Sequence, residues 1–390
     1  MKNIYLDHSA TTPVDPQVIK AMQAYQAEIF GNASSIHSFG QQASKAVGTA
    51  RSQVANFLHC EPSEIYFTSG ATEADNLVIF GAAKPGDQII TSKIEHPAIL
   101  EACREVARRG VKVTYINVDT RGILKLPELK KSIRPNTKLV SVMYVNNEVG
   151  TIQPIAEIGK MLEAVNKSRK NKIYFHTDAV QAANYCDLNV QNLKVDLLSL
   201  SGHKIYGPKG IGALFVRKGL MISPIQFGGH QERGVRPGTY NTAGIVGLGK
   251  AVELINKKTS RLAGQENKKT KELRDYLIRE VKKRIPDVVI NGDLKNRAPN
   301  NANFSFKGAE GESILLMLDF AGIAVSTGSA CSSGSLEPSH VLTAMGISPE
   351  LAHGSLRITL GKKNTRPEID RVIKILPGII SKLRKMSPYH

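Results

Sequence analysis

Residues 64–76 read EIYFTSGATEADN, and this stretch decides the fold. Glu64–Thr68 is a short apolar, β-branched and aromatic run, as a buried strand requires. Ser69 and Gly70 break it, and a helical period then runs from about Thr72 to Ala83. A strand that turns through glycine into a helix is half of a βαβ unit. The same alternation continues on both sides. Helical periods occupy residues 15–28 and 38–58. Strands are expected at Gln88–Thr91, Lys112–Asn117, Lys138–Tyr144, Lys172–His176, Asp196–Leu200 and Gly212–Val216, with helices at Pro97–Arg109 and Ile155–Lys167 between them. This order predicts an α/β protein with a mostly parallel sheet covered by helices on both faces. Beyond about residue 241 the texture changes. A polar, Lys- and Glu-rich helical stretch covers about Ala243–Lys283. Shorter elements follow near 303–306, 311–320, 337–345, 355–359 and 367–384, as in a smaller α+β domain.

Composition narrows the class. The chain has 390 residues, 41% hydrophobic and 22% charged, which is ordinary for a folded globular protein and unlike a disordered or fibrous one. No apolar run reaches the roughly 18 residues needed to span a bilayer. The first residues, MKNIYLDHSATTP, carry Asp7, His8 and Pro13 where a secretion signal has an apolar centre, so a cytoplasmic location is expected. Four scattered cysteines make no disulfide framework, and no CxxC pair marks a structural zinc site. Lys and Arg number 52 against 34 Asp and Glu, a formal charge of +18. The basic residues are spread along the chain instead of clustered, so neither a membrane nor direct nucleic-acid binding is expected.

In open α/β sheets, ligands bind beyond the carboxyl ends of the strands. Four candidate sites fall there. Ser69–Glu73 opens a helix, whose free N–H groups and positive dipole end suit a phosphate; an ordinary turn with Thr72 as cap fits it too. Asp178, in His176–Gln181, could hold a protonated ring nitrogen or cap a helix. Lys204, in Ser201-Gly202-His203-Lys204, could form a Schiff base or be a surface charge. His96 could stack on a ring and move protons, or cap the helix after it. A phosphate cradle, a stacking histidine, an acid for a pyridinium and an amine are together the parts of a pyridoxal phosphate site. A fifth candidate is Cys331, in a stretch of ten residues (326–335) rich in serine and glycine. A small, polar surrounding suits an accessible, reactive thiol better than a structural one.

With these residues in view, the chain resembles the cysteine desulfurases of the NifS/IscS type, over essentially its whole length. The motifs that carry the resemblance are YLDHSATTP (5–13), FGNASSIHSFG (30–40), TSGATEADN (68–76), EHPAIL (95–100), NNEVGTIQP (146–154) and HTDAVQ (176–181). They continue with SGHKIYGPKGIGAL (201–214), QERGVRPGT (231–239), STGSACSSGSLEPSHVL (326–342) and HGSLRITLG (353–361).

The resemblance implies a fold-type I enzyme dependent on pyridoxal 5′-phosphate, of the class V aminotransferase family. A large, mostly parallel seven-stranded sheet domain is expected over residues 15–257. Residues 1–14 and 258–390 would form the small α+β domain, with the cysteine loop at about 326–336. Lys204 would hold the cofactor covalently. Ala71, Thr72, Ser201 and His203 would bind its phosphate, and Thr239 the phosphate in the other subunit of a homodimer. Asp178 would pair with the pyridine nitrogen, Gln181 with the ring hydroxyl, and His96 would stack on the ring. Asn147, near the cofactor, and Arg357 would hold the substrate carboxylate. Lys204, His96 and Cys331 would carry the catalysis. Sulfur from L-cysteine would pass to Cys331 as a persulfide, leaving L-alanine. It would then move to an iron–sulfur cluster scaffold or another acceptor. Any metal ligation would fall to Cys331, through an iron–sulfur cluster bridged to such a scaffold. The pattern around Cys331 matches the long-loop group of these enzymes, with Glu337 and Pro338 expected to start the helix that follows.

Overall fold

The computed structural model describes residues 3–258, 262–327 and 337–386. Strands are β1 (Ile4–Tyr5), β2 (Ile65–Thr68), β3 (Gln88–Ser92), β4 (Lys112–Ile116), β5 (Thr137–Ser141), β6 (Tyr174–Asp178), β7 (Leu197–Ser201) and β8 (Gly212–Val216). They continue with β9 (Val288–Ile290), β10 (Asn301–Phe306), β11 (Ile323–Ala324) and β12 (Ser355–Thr359). Helices are α1 (Pro16–Ala27), α2 (Ser38–Leu58), α3 (Ala71–Ala82), α4 (Pro97–Arg108), α5 (Leu126–Ser132), α6 (Ile155–Asn166) and α7 (Val190–Leu193). They continue with α8 (Thr242–Lys258), α9 (Leu262–Arg284), α10 (Gly311–Phe320), α11 (His340–Ala344), α12 (Pro349–His353) and α13 (Arg366–Met386).

Among the described residues, seven strands form the main sheet in the order β2-β8-β7-β6-β5-β3-β4. β8 runs antiparallel to both neighbours and the other pairings are parallel. Every residue of β3, β7 and β8 is buried, as expected for strands covered by helices on both faces. From β3 the chain steps outward to β4, then returns through β5, β6 and β7 in the opposite direction. The winding therefore reverses between β3 and β5. Such a switch point opens a crevice at the carboxyl ends of the strands. His96 follows β3 and Asn147 follows β5, so they flank this crevice.

A second core is built on the antiparallel sheet β12-β10-β9. Phe304, Phe306, Leu356 and Ile358 from its strands are buried with Leu277, Ile314, Ile373 and Leu376 from α9, α10 and α13. Ile4 and Leu6 join the same core, and β1 pairs in parallel with β11. The first strand of the chain is thus sewn to an element more than 300 residues away.

Some details differ from expectation. β5 ends at Ser141, three residues before the expected Tyr144. The polar stretch after residue 241 is two helices, α8 and α9, with residues 259–261 outside the described residues. The helix after the Cys331 segment begins at His340, not at Glu337-Pro338: Ser339 caps it, its hydroxyl accepting from Leu342 N at 3.2 Å. A serine hydroxyl can satisfy an end-turn amide, whereas proline supplies no such acceptor. Among the described residues no helix is long and apolar enough to cross a membrane.

Candidate active site

Ten of the expected residues line one cleft of about 580 Å³ at the switch point: Ala71, Thr72, His96, Asn147, Asp178, Gln181, Ser201, His203, Lys204 and Arg357. Thr239 is not among the lining residues and is exposed. Cys331 lies outside the described residues.

The strand–glycine–helix stretch builds one wall. α3 starts at Ala71, one residue before the expected Thr72, with Gly70 at its N-cap. The first amides of any helix have no intrahelical acceptor, so Ala71 and Thr72 can offer theirs to an anion. A Cβ placed on Gly70 would meet only Ser201 Oγ, at 3.8 Å. Glycine there keeps the space between the helix end and Ser201 open. Gly212 holds the turn from behind, since a Cβ on it would lie 2.7 Å from Gly70 Cα and 2.6 Å from Leu200 O. Glu73 ties the turn down. It accepts from Ser69 N at 2.7 Å and from two nitrogens of Arg236 at 2.6 and 3.1 Å.

Lys204 ends a short 3₁₀ turn, Gly202–Lys204, directly after β7. Its Nζ donates to the carbonyls of Ser9 (2.5 Å) and Ala10 (2.7 Å). The N-terminal segment therefore forms the cleft wall facing the lysine. Thr11 Oγ1 lies 3.1 Å from His203 Nδ1, and Gln181 Nε2 donates to Ser9 O at 2.9 Å. Asp178 is the last residue of β6. One oxygen accepts from Val180 N at 2.9 Å, and burial holds its carboxyl up at about 6, partly offset by the Lys204 charge. That value leaves Asp178 mostly ionised at neutral pH. His96 is both a cap and a wall. Its Nδ1 accepts from Ala98 N at 3.1 Å while the ring borders the cleft. Burial, then the Lys204 charge, hold it down to about 4, so it is neutral at pH 7.

Arg357 comes from the fully buried strand β12. Its Nη2 donates to Asp7 Oδ1 at 2.8 Å and its Nη1 to Asn147 O at 3.1 Å, while its buried Nε has no hydrogen-bond partner among the described residues. Asp75, on α3 and also lining the cleft, likewise has one buried oxygen, Oδ1, without such a partner. A cation with an unused donor and an acid at a strand end, around an open helix N-terminus, make a set suited to a ligand with carboxylate, phosphate and ring nitrogen.

Sequence reasoning did not single out Asp7, Ser9, Ala10 or Asp75 as site residues, although all lie in quoted motifs. Asp7, Ser9 and Ala10 act on neighbours remote in sequence, which no local pattern displays.

The model of the family described as aminotransferase class-V matches residues 4–372. The chain belongs to the class-V aminotransferase family. Within it, the chain is of the NifS/IscS cysteine desulfurase type. It is 50% identical over 396 residues to a protein of Dictyoglomus turgidum named cysteine desulfurase IscS, covering 100% of this chain and 97% of that one. Among solved structures, a NifS-like protein superposes with a TM-score of 0.88 at 38% identity, covering 97% of this chain and 100% of the other. A structure described as SspA in complex with cysteine gives a TM-score of 0.79 at 37% identity, covering 93% and 100%. The cofactor of this class-V type is pyridoxal 5′-phosphate, and the residues fit it. The open helix N-terminus beside Ser201 suits its phosphate, Asp178 its pyridine nitrogen and the Lys204 amine its aldehyde.

Proposed function

We propose that this protein is a cysteine desulfurase: it takes sulfur from L-cysteine, releases L-alanine and holds the sulfur as a persulfide on Cys331. The observation that carries the reading is the meeting of Lys204, Asp178, His96 and Arg357 in one cleft, with Ser326, five residues before Cys331, bonded to Arg357. Ser326 N and O pair with Arg357 O and N at 3.1 and 2.7 Å.

Pyridoxal 5′-phosphate, when bound, supplies a sink for the electron pair left at the substrate Cα. Lys204, Ala71, Thr72, Ser201 and His203 would hold it, with Gln181 at its ring hydroxyl and His96 over the ring. Asp178 holds a proton at the pyridine nitrogen. The Lys204 amine moves the proton at Cα. Arg357 and Asn147 orient the substrate carboxylate. The Cys331 thiolate attacks the substrate sulfur, so the S–S bond forms as the Cβ–S bond breaks and its electron pair stays with the carbon fragment. That fragment leaves as alanine after taking up protons. The other three cysteines are poor candidates for this step: burial pushes the thiols of Cys60, Cys103 and Cys186 up to about 12.

The enzyme works as a homodimer in this reading. Phe30, Ile36, Phe39 and Phe227 are 52–91% exposed, more apolar surface than a lone subunit needs to show. An exposed Thr239 is free to reach a partner's phosphate site. Residues 15–257 act as the cofactor domain and residues 1–14 with 258–390 as the small domain. The persulfide then passes to an iron–sulfur scaffold or another thiol acceptor in the cytoplasm.

The test is sulfide release from L-cysteine with a thiol reductant, comparing wild type with Cys331→Ala, both loaded with cofactor. Sulfide from wild type alone is expected. Equal sulfide from both overturns Cys331 as acceptor, and none from either overturns the desulfurase reading.

A further inference from the structure

The chain re-enters the described fold at Glu337, and within three residues it is bonded to the walls of the cleft. Ser339 Oγ donates to Glu148 Oε2 at 2.5 Å. His340 Nε2 donates to Glu95 O at 3.0 Å. Glu148 is next in sequence to Asn147, and Glu95 next to His96. The first turn of α11 is therefore fastened to the two residues adjoining the cleft residues that flank the switch point.

The Glu148 contact is unusual for its cost. The carboxyl is 4% exposed, and burying a carboxyl is expensive unless something answers it. Burial holds it up at about 7, against the Ser339 hydroxyl and the Arg357 charge, which favour the ionised form. Its direction is fixed by its own backbone. Glu148 N donates to Asn146 Oδ1 at 2.9 Å, and Glu148 O accepts from the side chains of Asn301 and Asn303, both at 3.0 Å. An apolar side chain would fill this place at less cost if filling were all that was needed. α11 has an apolar seat of its own, with Val341, Leu342 and Met345 packed in one cluster with Ile94, Val118 and Val149. Glu148 is thus not required to keep the helix attached; it sets where the helix begins.

We propose that Glu148 is a positioning residue for the sulfur-accepting step, fixing through Ser339 the point at which the chain leaves the Cys331 segment, in register with Arg357. This rests on Cys331 being the acceptor. Ser326 is paired with Arg357 and Ser339 with Glu148. Cys331 is five residues from the first anchor and eight from the second. Loosening the second anchor leaves the cofactor residues where they are but removes one fixed point of the chain that carries the thiol, and a step that needs an in-line approach to the substrate sulfur slows when its geometry is less constrained.

Cofactor-loaded wild type, Glu148→Ala, Glu148→Gln and Ser339→Ala are compared in two assays. One is exchange of the Cα proton of L-alanine with deuterated water, followed by NMR, which needs Lys204 but no thiol. The other is the first-turnover rate of persulfide formation on Cys331 with L-cysteine, read by mass spectrometry. In Glu148→Ala and Ser339→Ala, exchange should stay within about twofold of wild type while persulfide formation falls about tenfold or more, the size expected for one lost charge-assisted bond. Glu148→Gln, which can still accept from Ser339, should recover most of that loss. Parallel losses in both assays, or an unchanged persulfide rate in Glu148→Ala, overturn the positioning role. Absence of persulfide in wild type itself overturns the desulfurase reading and this inference with it.

Discussion

Arg357 Nη2 and Asp7 Oδ1 are 2.8 Å apart, a pair that joins β12 to the first residues of the chain across 350 positions. With Nη2 held by the aspartate and Nη1 by Asn147 O, Nε is the nitrogen left without a hydrogen-bond partner among the described residues. Arg357→Lys keeps a charge but loses the planar fork. We expect kcat/KM for L-cysteine to fall about 10- to 100-fold, the range for one charged hydrogen bond of about 1.5–3 kcal/mol. The loss should appear mainly in KM. Steady-state kinetics at pH 7.5 checks it, and an unchanged KM would remove Arg357 from substrate binding.

Lys204→Ala should lose turnover and the absorbance of covalently held cofactor, while circular dichroism stays that of the wild type. Normal turnover in this variant would mean that the amine in the cleft is not the reactive one.

Asp178 is held at about 6 by burial, so it loses its charge as pH falls through that value. Apo wild type should bind pyridoxal 5′-phosphate more tightly than Asp178→Asn at pH 7.5. The gap should narrow towards pH 5, because the protonated aspartate then resembles asparagine. The cofactor phosphate also titrates near 6, but equally for both proteins. A gap independent of pH, measured by fluorescence titration, would mean that no ion pair forms with the ring.

Glu95 is fully buried, accepts from Ser92 Oγ and Met143 N, and is pushed up to about 8 by burial. In the unfolded chain it titrates near 4.3. The folded protein thus keeps a proton that the unfolded chain releases. The stability this gives is full below about pH 4 and is lost as pH rises through 8, by at most about 1.4 kcal/mol per pH unit. The melting temperature of the apo protein should fall over this range, and less steeply in Glu95→Gln. Equal slopes for the two proteins would refute the shift.

Gly212→Ala forces a methyl towards Gly70 Cα and Leu200 O, at 2.7 and 2.6 Å. Neither backbone can yield without moving the turn that opens α3. A cost of about 1–3 kcal/mol is expected for such overpacking, with weaker binding of the cofactor phosphate. Wild-type melting and cofactor affinity in this variant would show that the turn is pliant.

Much of this was legible beforehand. Strand–glycine–helix alternation is written in local periodicity, so six strands of the main sheet could be read within a residue or two, while β5, expected to reach Tyr144, ends at Ser141. The cleft residues Lys204, Asp178 and His96 stand out because each follows an apolar run, where a sheet delivers side chains to one edge. What could not be read is long-range. Two-residue strands such as β1 and β11 carry no period, and nothing near Asp7 announces a partner at 357. Nothing local ranks Ser339 above Glu337 and Pro338 as the start of α11, because a cap is identified by the amide it satisfies, and that amide is known only once the chain has folded.

The hold of Ser9 and Ala10 on Lys204, together with Asp7 on Arg357, sets an order of events in biosynthesis. The main sheet can assemble on the ribosome from the strands already extruded. The lysine then has its carbonyl partners early, but the arginine that completes the cleft is made some 150 residues later. Until then Asp7 lacks the arginine it pairs with in the finished fold. The cleft is therefore complete only when β12 has been made and has docked beside the first residues synthesised.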